Sequence, residues 1–511
     1  MVALEADPGS LNPAVTSNPG VHTASELMFN GLVGWGPDDQ PVPELAERWT
    51  VEESGAAYTF TLREGVRWHD GRTLTSDDVR FSFERALLPL HSRTKTSMGS
   101  AGLRLETPDP RTIVFRFGAP YAPLLRQLNV TEAPIIPRHV FESCTDLSTT
   151  AGCPPNKAPV GSGPFRFVSF SPTEIRLARN ADYFRPDLPY LDEVVERVIP
   201  DADRRVQALA SGEVDWLWSV PGSAVARLRS EPATSVVSTP RSPAGANCVL
   251  QVVFNLRPPA GRLPLLADQR VRQAFAHAID RGEAVDRALA GQGRVAAAPV
   301  SSGIPFARAP GLGLPAFDQG QARSLLDAAG WKDEGAAVRV ARGVAGVPDG
   351  TELAVDLVHL PAQADLAVVL GDQLAAVGVG LVAKPSDSAA RNDNVFTRRT
   401  FDTALVTYCN GDDPEVGVHR QYATDQIGPA ALSNAAGYAN AEVDALFEQA
   451  VRQTDSEQRG RLYRQVQEAA VRDLPYWWLA EIDFTQAYDA VCTGFDHANT
   501  GLFAEAASCP R

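Results

Sequence analysis

Residues 353–384 read LAVDLVHLPAQADLAVVLGDQLAAVGVGLVAK, and this stretch decides the fold class. Leu353–His359 is an apolar run of strand length, Ala364–Ala376 carries a helical repeat of apolar residues, and Val379–Lys384 is a second strand. Strand, helix and strand in succession predict a parallel crossover, because parallel neighbours cannot be joined by a tight turn.

Outward from this unit the same alternation continues. Ala57–Arg63 (AYTFTLR) alternates as a strand, Val66–His69 is expected as another after the Glu64-Gly65 turn, and Thr112–Phe117 (TIVFRF) alternates too. Thr75-Ser76-Asp77-Asp78 reads as a capping box with Asp78 in the usual glutamate place. The helix behind it puts Val79, Phe83, Ala86 and Leu87 on one face and stops at Pro89. Asp268 caps a helix with Val271, Ala274, Phe275 and Ala278 on its apolar face. Asp318 caps another, closed by Gly330. Phe401–Thr407 is expected as a strand, helices at 440–453 and 455–473 follow, and Pro475–Ala480 is an aromatic strand. Strands mixed with helices along 511 residues predict α/β lobes rather than a sandwich or a bundle. At about 150 residues per domain, the length suits three domains or two large lobes.

Composition excludes several classes. Apolar residues are 44% and charged residues 21%, as in a globular chain. A net charge of −15 gives nucleic acid no electrostatic footprint. The longest approach to a membrane span, Ala367 to Ala383, is interrupted by Asp372 and Gln373. The basic residues are nearly all arginine; Lys95, Lys157, Lys332 and Lys384 are the lysines. Six cysteines (144, 153, 248, 409, 492, 509) form an even set without a Cys-x-x-Cys, which favours three disulfides in an exported protein over free thiols or zinc. Met1 runs straight into strand-like sequence, so an exported form is expected to be a processed chain.

Enzyme signatures are weak. Gly161-Ser162-Gly163 lacks the spacing of a nucleophile elbow and reads as a turn before a strand at Phe165–Phe170. Gly291-Gln292-Gly293 is a lone Gly-x-Gly, and no phosphate-binding loop occurs. The eight histidines are scattered; His277 reads as a surface or packed residue, and His419 alone is kept as a metal-ligand candidate. Asp412-Asp413, in a Gly/Asp/Pro loop after a strand, lie where α/β sheets place ligand-binding groups, although an ordinary turn explains them equally. Trp216 and Trp218 share a face at strand spacing and either pack against a helix or line a cleft. Trp477 and Trp478 point to opposite faces and read as core.

Eight segments, in order, resemble the family 5 solute receptors of ABC importers, the periplasmic oligopeptide- and dipeptide-binding proteins. They are Leu11-Asn12-Pro13, Pro43–Trp49 (PELAERW), Tyr58–Gly71 (YTFTLREGVRWHDG), Leu74–Val79 (LTSDDV), Gly161–Phe165 (GSGPF), Ala181–Phe184 (ADYF), Val206–Asp215 (VQALASGEVD) and Asp268–Arg281 (DQRVRQAFAHAIDR). The resemblance implies a two-lobed periplasmic-binding-protein-like fold (type II, cluster C). Lobe I would comprise 1–36, 161–250 and 483–511, with an extra subdomain at 37–160. Lobe II would be 251–482, and two chain crossings near 250 and 483 would form the hinge.

The resemblance also implies a function without chemistry or cofactor. The chain would be an extracellular receptor, anchored as a lipoprotein in its precursor, monomeric, binding a short peptide and presenting it to an ABC permease. Receptors of the same architecture for an oligosaccharide, a nickel complex or an opine are the alternatives, with a ligand-free regulatory homologue or a secreted hydrolase more distant. In relatives an aspartate of the loop matching 409–414 pairs with the ligand's ammonium group; Asp412 or Asp413 would take that role here, Asp412 being favoured. Thr16-Ser17-Asn18-Pro19 resembles the strand that bonds the ligand backbone, and Trp216, Trp218, Asn247, Tyr408 and Asn410 fall at or near cleft positions. No carboxylate clamp stands out, although Arg398 and Arg399 are close in sequence. The resemblance pairs Cys248 with Cys409, and by extension Cys144 with Cys153 and Cys492 with Cys509.

Overall fold

The crossover forms in the computed structural model, which describes residues 1–16, 18–36, 40–240, 247–289, 292–495 and 505–510. Ala354–His359 and Gly380–Pro385 pair in parallel, Leu357 opposite Ala383, and helix Ala364–Ala375 connects them. Leu366, Val369, Leu370 and Leu374 of that helix are buried against the sheet. These strands edge a six-stranded sheet in the order Gly293–Val295, Tyr476–Ile482, Asn247–Phe254, Thr403–Asn410, Ala354–His359, Gly380–Pro385. Every residue of Asn247–Phe254 is buried, as expected for a central strand covered on both faces.

A second, seven-stranded sheet runs Thr234–Thr239, Phe484–Asp489, Trp216–Leu217, Val2–Leu4, Glu193–Val198, Glu174–Arg179, Phe165–Ser171. Helices Ala202–Ala210 and Gly222–Ser230 cover one face through Val206, Leu209, Val225 and Leu228 packed on Ala3, Leu217 and Ala487. On the other face Val2, Ile175, Leu177 and Trp216 share one core with Phe60, Ile113 and Phe115 of a four-stranded sheet, Ala46–Val51, Ala57–Leu62, Thr112–Arg116 and Arg104–Asp109. The chain passes between the two large sheets after Thr239 and returns at Asp483, the single residue between Tyr476–Ile482 and Phe484–Asp489. Strand Asn247–Phe254 pairs along its whole length inside the six-stranded sheet, so a division after 250 would cut through it.

Local expectations hold where short-range chemistry governs. Thr75 and Asp78 form the reciprocal capping box, and Asp268 and Asp318 accept from the backbone N–H groups of Arg270 and Gln321. The helix behind Thr75 is regular over Ser76–Phe81 and then widens to π-helical turns at Ser82–Leu87. Two strand expectations need correction. Val66–His69 is not a strand: Trp68 N–H donates to Arg72 O at 2.8 Å, and the chain reverses around Asp70-Gly71. The strand expected at Phe401–Thr407 runs instead over Thr403–Asn410, because it pairs residue for residue with Asn247–Phe254. Three disulfides join Cys144–Cys153, Cys248–Cys409 and Cys492–Cys509.

Candidate functional site

The site is built where the two central strands of the six-stranded sheet end side by side. Their antiparallel register puts Asn247 opposite Asn410 and Cys248 opposite Cys409, so the disulfide is a cross-strand tie one residue inside the strand ends. Beyond Asn410 the chain turns sharply. Gly411 N–H donates to Val416 O at 2.8 Å, Val416 N–H to Asp413 O at 2.8 Å, and Glu415 N–H to Asp413 Oδ1 at 3.0 Å. Gly417 closes the turn with φ of +119°, where an added Cβ would lie 2.4 Å from Asn410 Oδ1.

The two aspartates of this turn have different environments. Asp413 is fully buried and paired with Arg459: Arg459 Nη2 donates to Oδ1 at 2.7 Å and Nη1 to Oδ2. Tyr463 accepts from Arg459 Nη2 at 2.8 Å. Burial alone would lower the Arg459 pKa, but Asp413 outweighs it and the net direction is up; burial pushes the Tyr463 phenol well above its ordinary value. Asp413 is thereby committed inside its own structural unit. Asp412, the next residue back, is 4% exposed and its Oδ1 accepts from Asn247 Nδ2 at 3.4 Å, while Asn247 Nδ2 also reaches Gly411 O at 3.3 Å. Asn410 Oδ1 accepts from Gln421 Nε2 at 3.0 Å, and Gln251 Nε2 donates to Gln421 Oε1 at 3.0 Å, a buried amide relay that fixes the strand end.

Groups from the other side of the molecule close onto this turn. Arg126 is stacked between Trp35, 4.9 Å away, and Phe306, 4.5 Å away, and its Nη1 lies 3.5 Å from Asp412 O. Glu132 reaches Gly411, and Ala122 N–H donates to Val451 O at 2.8 Å. Near Thr16, the buried His22 faces Thr16 O through Nε2 and Glu26 Oε1 through Nδ1, both at 2.8 Å, with the His91 ring 5.9 Å away. Burial depresses the His91 pKa well below the ordinary histidine value.

The remaining expected site residues are placed as follows. Thr16 and Asn18 have extended backbone and neither is part of a named strand; Asn18 N–H donates to Thr16 Oγ1 at 3.1 Å, and Asn18 caps helix Pro19–Ser25. Ser17 lies outside the described residues. Trp216 is fully buried, its Nε1–H on Gln486 Oε1 at 3.1 Å, and packs against Phe495. Trp218 is partly buried beside it, its Nε1 enclosed without a hydrogen-bond partner. Tyr408 is buried in the core of the six-stranded sheet, donating to Ser433 O at 2.9 Å rather than presenting its ring at a surface, because its strand is covered on both faces. Arg398 pairs with Asp393, and Arg399 donates to Asn434 O and Ala435 O, so both serve their own loops. His277 Nδ1 is 2.7 Å from Ala316 O. His419 pairs with Glu415 and lies with its ring tilted against Phe447, centroids 5.0 Å apart, in a cavity of about 690 Å³, and no cluster of three metal-ligating side chains stands there among the described residues.

Arg126, Glu132, Arg459 and Phe306 were not singled out by sequence reasoning. Glu132 left one signal, a lone charge within the otherwise uncharged Asn129–Ile136 (NVTEAPII).

Two sheet-based lobes, joined by chain crossings and meeting at a polar, carboxylate-bearing turn, define the class of two-lobed solute receptors. The chain belongs to the bacterial extracellular solute-binding proteins, family 5, whose model matches residues 40–428. It is 26% identical over 486 residues, covering 92% of this chain and 85% of the relative, to a Brucella ovis protein named as an ABC transporter peptide-binding protein. It is 24% identical over 504 residues to the glutathione-binding protein of Salmonella typhimurium, covering 97% and 91% of the two chains. Among solved structures it resembles the oligopeptide-binding protein AppA of Bacillus subtilis in complex with a nonapeptide, with a TM-score of 0.76, 25% identity, and coverage of 100% and 98%.

Proposed function

We propose that the protein binds short peptides between its two lobes, acts without chemistry of its own, and delivers its ligand to an ABC permease as a monomer. Lobe I then comprises the seven-stranded sheet with the region of the four-stranded sheet, lobe II the six-stranded sheet, and Asp483, between strands of the two large sheets, belongs to the hinge. The observation that carries this reading is the placement of the turn after Thr403–Asn410, which brings the Asp412 carboxylate to the junction of the lobes beside Asn247 and Arg126, while Asp413 is enclosed with Arg459. A carboxylate there suits a desolvated ammonium group, which needs a charge-assisted acceptor. Extended backbone supplies most of the remaining peptide recognition through main-chain hydrogen bonds, so affinity need not depend on ligand side chains. Because the ligand touches both lobes only when they meet, it shifts the population toward the closed form that a permease recognises.

The test is calorimetry on Asp412→Asn. Peptide affinity is expected to fall at least about tenfold, the size of one charge-assisted hydrogen bond, with an unchanged melting temperature. Unchanged affinity removes Asp412 from the ammonium role.

A further inference from the structure

One buried histidine faces an acceptor on each side of its ring. The His22 side chain is 1% exposed and that of Glu26, one helical turn on, 3%. His22 Nδ1 lies 2.8 Å from Glu26 Oε1, and its Nε2 lies 2.8 Å from the carbonyl oxygen of Thr16. A carbonyl oxygen can only accept, so Nε2 carries a proton. A neutral ring would then turn the bare lone pair of Nδ1 toward the carboxylate, acceptor against acceptor at hydrogen-bond distance. The contact closes only with a further proton between Nδ1 and Oε1, and with Glu26 ionised that makes the ring an imidazolium.

The surroundings keep that proton on the pair. Glu26 Oε2 is enclosed without a hydrogen-bond partner, and His22 is the one side chain paired with this carboxylate among the described residues. The helix at Ser92–Thr94 brings His91 and Arg93 to the same place. The His91 ring, 5.9 Å from that of His22, is held neutral by burial and by the charges of Arg93 and His22, so it does not compete for the proton. Arg93 is paired with Glu132, which leaves Glu26 to balance His22.

Loss of the proton forces a choice between the two acceptors, because a neutral ring has one N–H. The ionised carboxylate is about twice as strong an acceptor as a carbonyl, so the remaining proton moves to Nδ1 and Nε2 is left facing the Thr16 oxygen without a hydrogen. Thr16 is extended, with φ of −151° and ψ of 157°, and its Oγ1 accepts from the N–H of the helix cap Asn18. His22 therefore fixes the course of the backbone that enters this helix. From Thr16 a row of buried groups, His22, His91, Thr94 and Glu132, leads to Gly411 in the turn at the lobe junction.

We propose that His22, held as an imidazolium by Glu26, is a positioning residue of the peptide site: it keeps the backbone at Thr16 extended for the ligand and makes peptide uptake proton-linked, tighter in acid than in alkali. The inference rests on the peptide reading, with Thr16 part of the extended backbone that takes the ligand.

The experiment measures tetra-alanine affinity by calorimetry between about pH 5 and 8, the range in which histidine changes charge. Wild-type affinity should fall about tenfold across it, the worth of one positioning hydrogen bond. Glu26→Gln offers Nδ1 an amide N–H in place of the shared proton, so a neutral ring still donates to Thr16 and the slope should be flatter; comparing slopes cancels titration of the peptide itself. Equal slopes overturn the inference. His22→Leu should bind about tenfold more weakly than wild type at the acid end, and wild-type affinity there overturns it as well. Nitrogen-15 NMR of the unliganded proteins at the acid end supplies a readout free of any ligand: both His22 ring nitrogens protonated in wild type, the signals assigned by their loss in His22→Leu, or in His22→Gln should the first not fold. A neutral His22 ring in wild type overturns the inference whatever the peptide does. If the ring is an imidazolium and wild type takes up no tetra-alanine at any pH, the peptide reading fails and the clamp on Thr16 stands for a ligand of another class.

Discussion

Replacing Asp413 by asparagine should damage the fold and not the binding site. The Asp413 side chain is 0% exposed and that of Arg459 5%, so the substitution leaves a guanidinium enclosed with a neutral amide as its partner. Breaking one half of a buried pair costs about 3–5 kcal/mol, because the remaining charge keeps its desolvation penalty and loses its compensation. For a lobe of this size, that is a fall in Tm on the order of 10 °C. Calorimetric melting of wild type and variant measures it, and the double variant Asp413→Leu with Arg459→Met should recover most of the loss, since well-packed apolar replacements for buried pairs are often neutral. Peptide affinity of the folded single variant should stay within about threefold of wild type, the scatter expected for a site not in contact with ligand. A variant that melts like wild type yet loses affinity would refute the assignment and make Asp413 a ligand group.

Further consequences follow from other parts of the fold. His69 accepts from Gly161 N–H through Nδ1 at 3.2 Å and donates from Nε2 to Gly163 O at 3.0 Å, an arrangement that only a neutral ring can make, and burial pushes its pKa down to about 4. The unfolded chain binds this proton below about 6.5 and the folded chain does not, so stability present above that pH is lost as pH falls toward 4, by up to about 3 kcal/mol from this residue. His69→Gln should flatten the dependence of Tm on pH across that window, and an unchanged slope would count against it. Gly161→Ala would place a Cβ 1.7 Å from the backbone oxygen of Met28, which cannot swing aside as a side chain can, and should lower Tm sharply or prevent accumulation of folded protein; a melting curve like that of wild type would contradict the packing. Cys248–Cys409 closes a separation of 161 residues and Cys144–Cys153 one of 9, so chain entropy assigns about 5 and about 2.5 kcal/mol to them. Paired alanine variants of the first should therefore melt lower than those of the second, and equal losses would dispute that ranking.

How much of this was legible beforehand depended on range in sequence. The crossover at 353–384 could be read because strand and helix periodicities are local, and so could the caps at Thr75, Asp268 and Asp318. The turn carrying Asp412 and Asp413 was visible as a Gly/Asp/Pro cluster, but nothing local separates two adjacent carboxylates. Their difference is set by Arg459, 46 residues beyond Asp413 on another helix. Arg126 and Asp412 are 286 residues apart, a distance over which no spacing rule operates. Tyr408 shows the same limit: the resemblance places it near the cleft, while the cover on both faces of its strand, supplied by distant segments, buries its ring and turns its hydroxyl to Ser433 O. The scarcity of lysine also acquires a reason. Arg272 donates to the carbonyls of Leu474, Leu266, Ala267 and Asp473 at 2.7–3.0 Å, and burial lowers its pKa to about 10, so it remains charged. Several buried donors fanning from one planar group are available to arginine and not to an ammonium.

The most direct test of the central claim, a receptor that holds a peptide between its lobes, is native mass spectrometry of gently purified protein titrated with a pool of tetra- to nonapeptides. The account predicts a 1:1 complex whose added mass matches peptides with free amino termini and which is weakened in Asp412→Asn. A stable complex with a sugar or a metal chelate instead, or a protein that takes up no peptide from the pool, would contradict it.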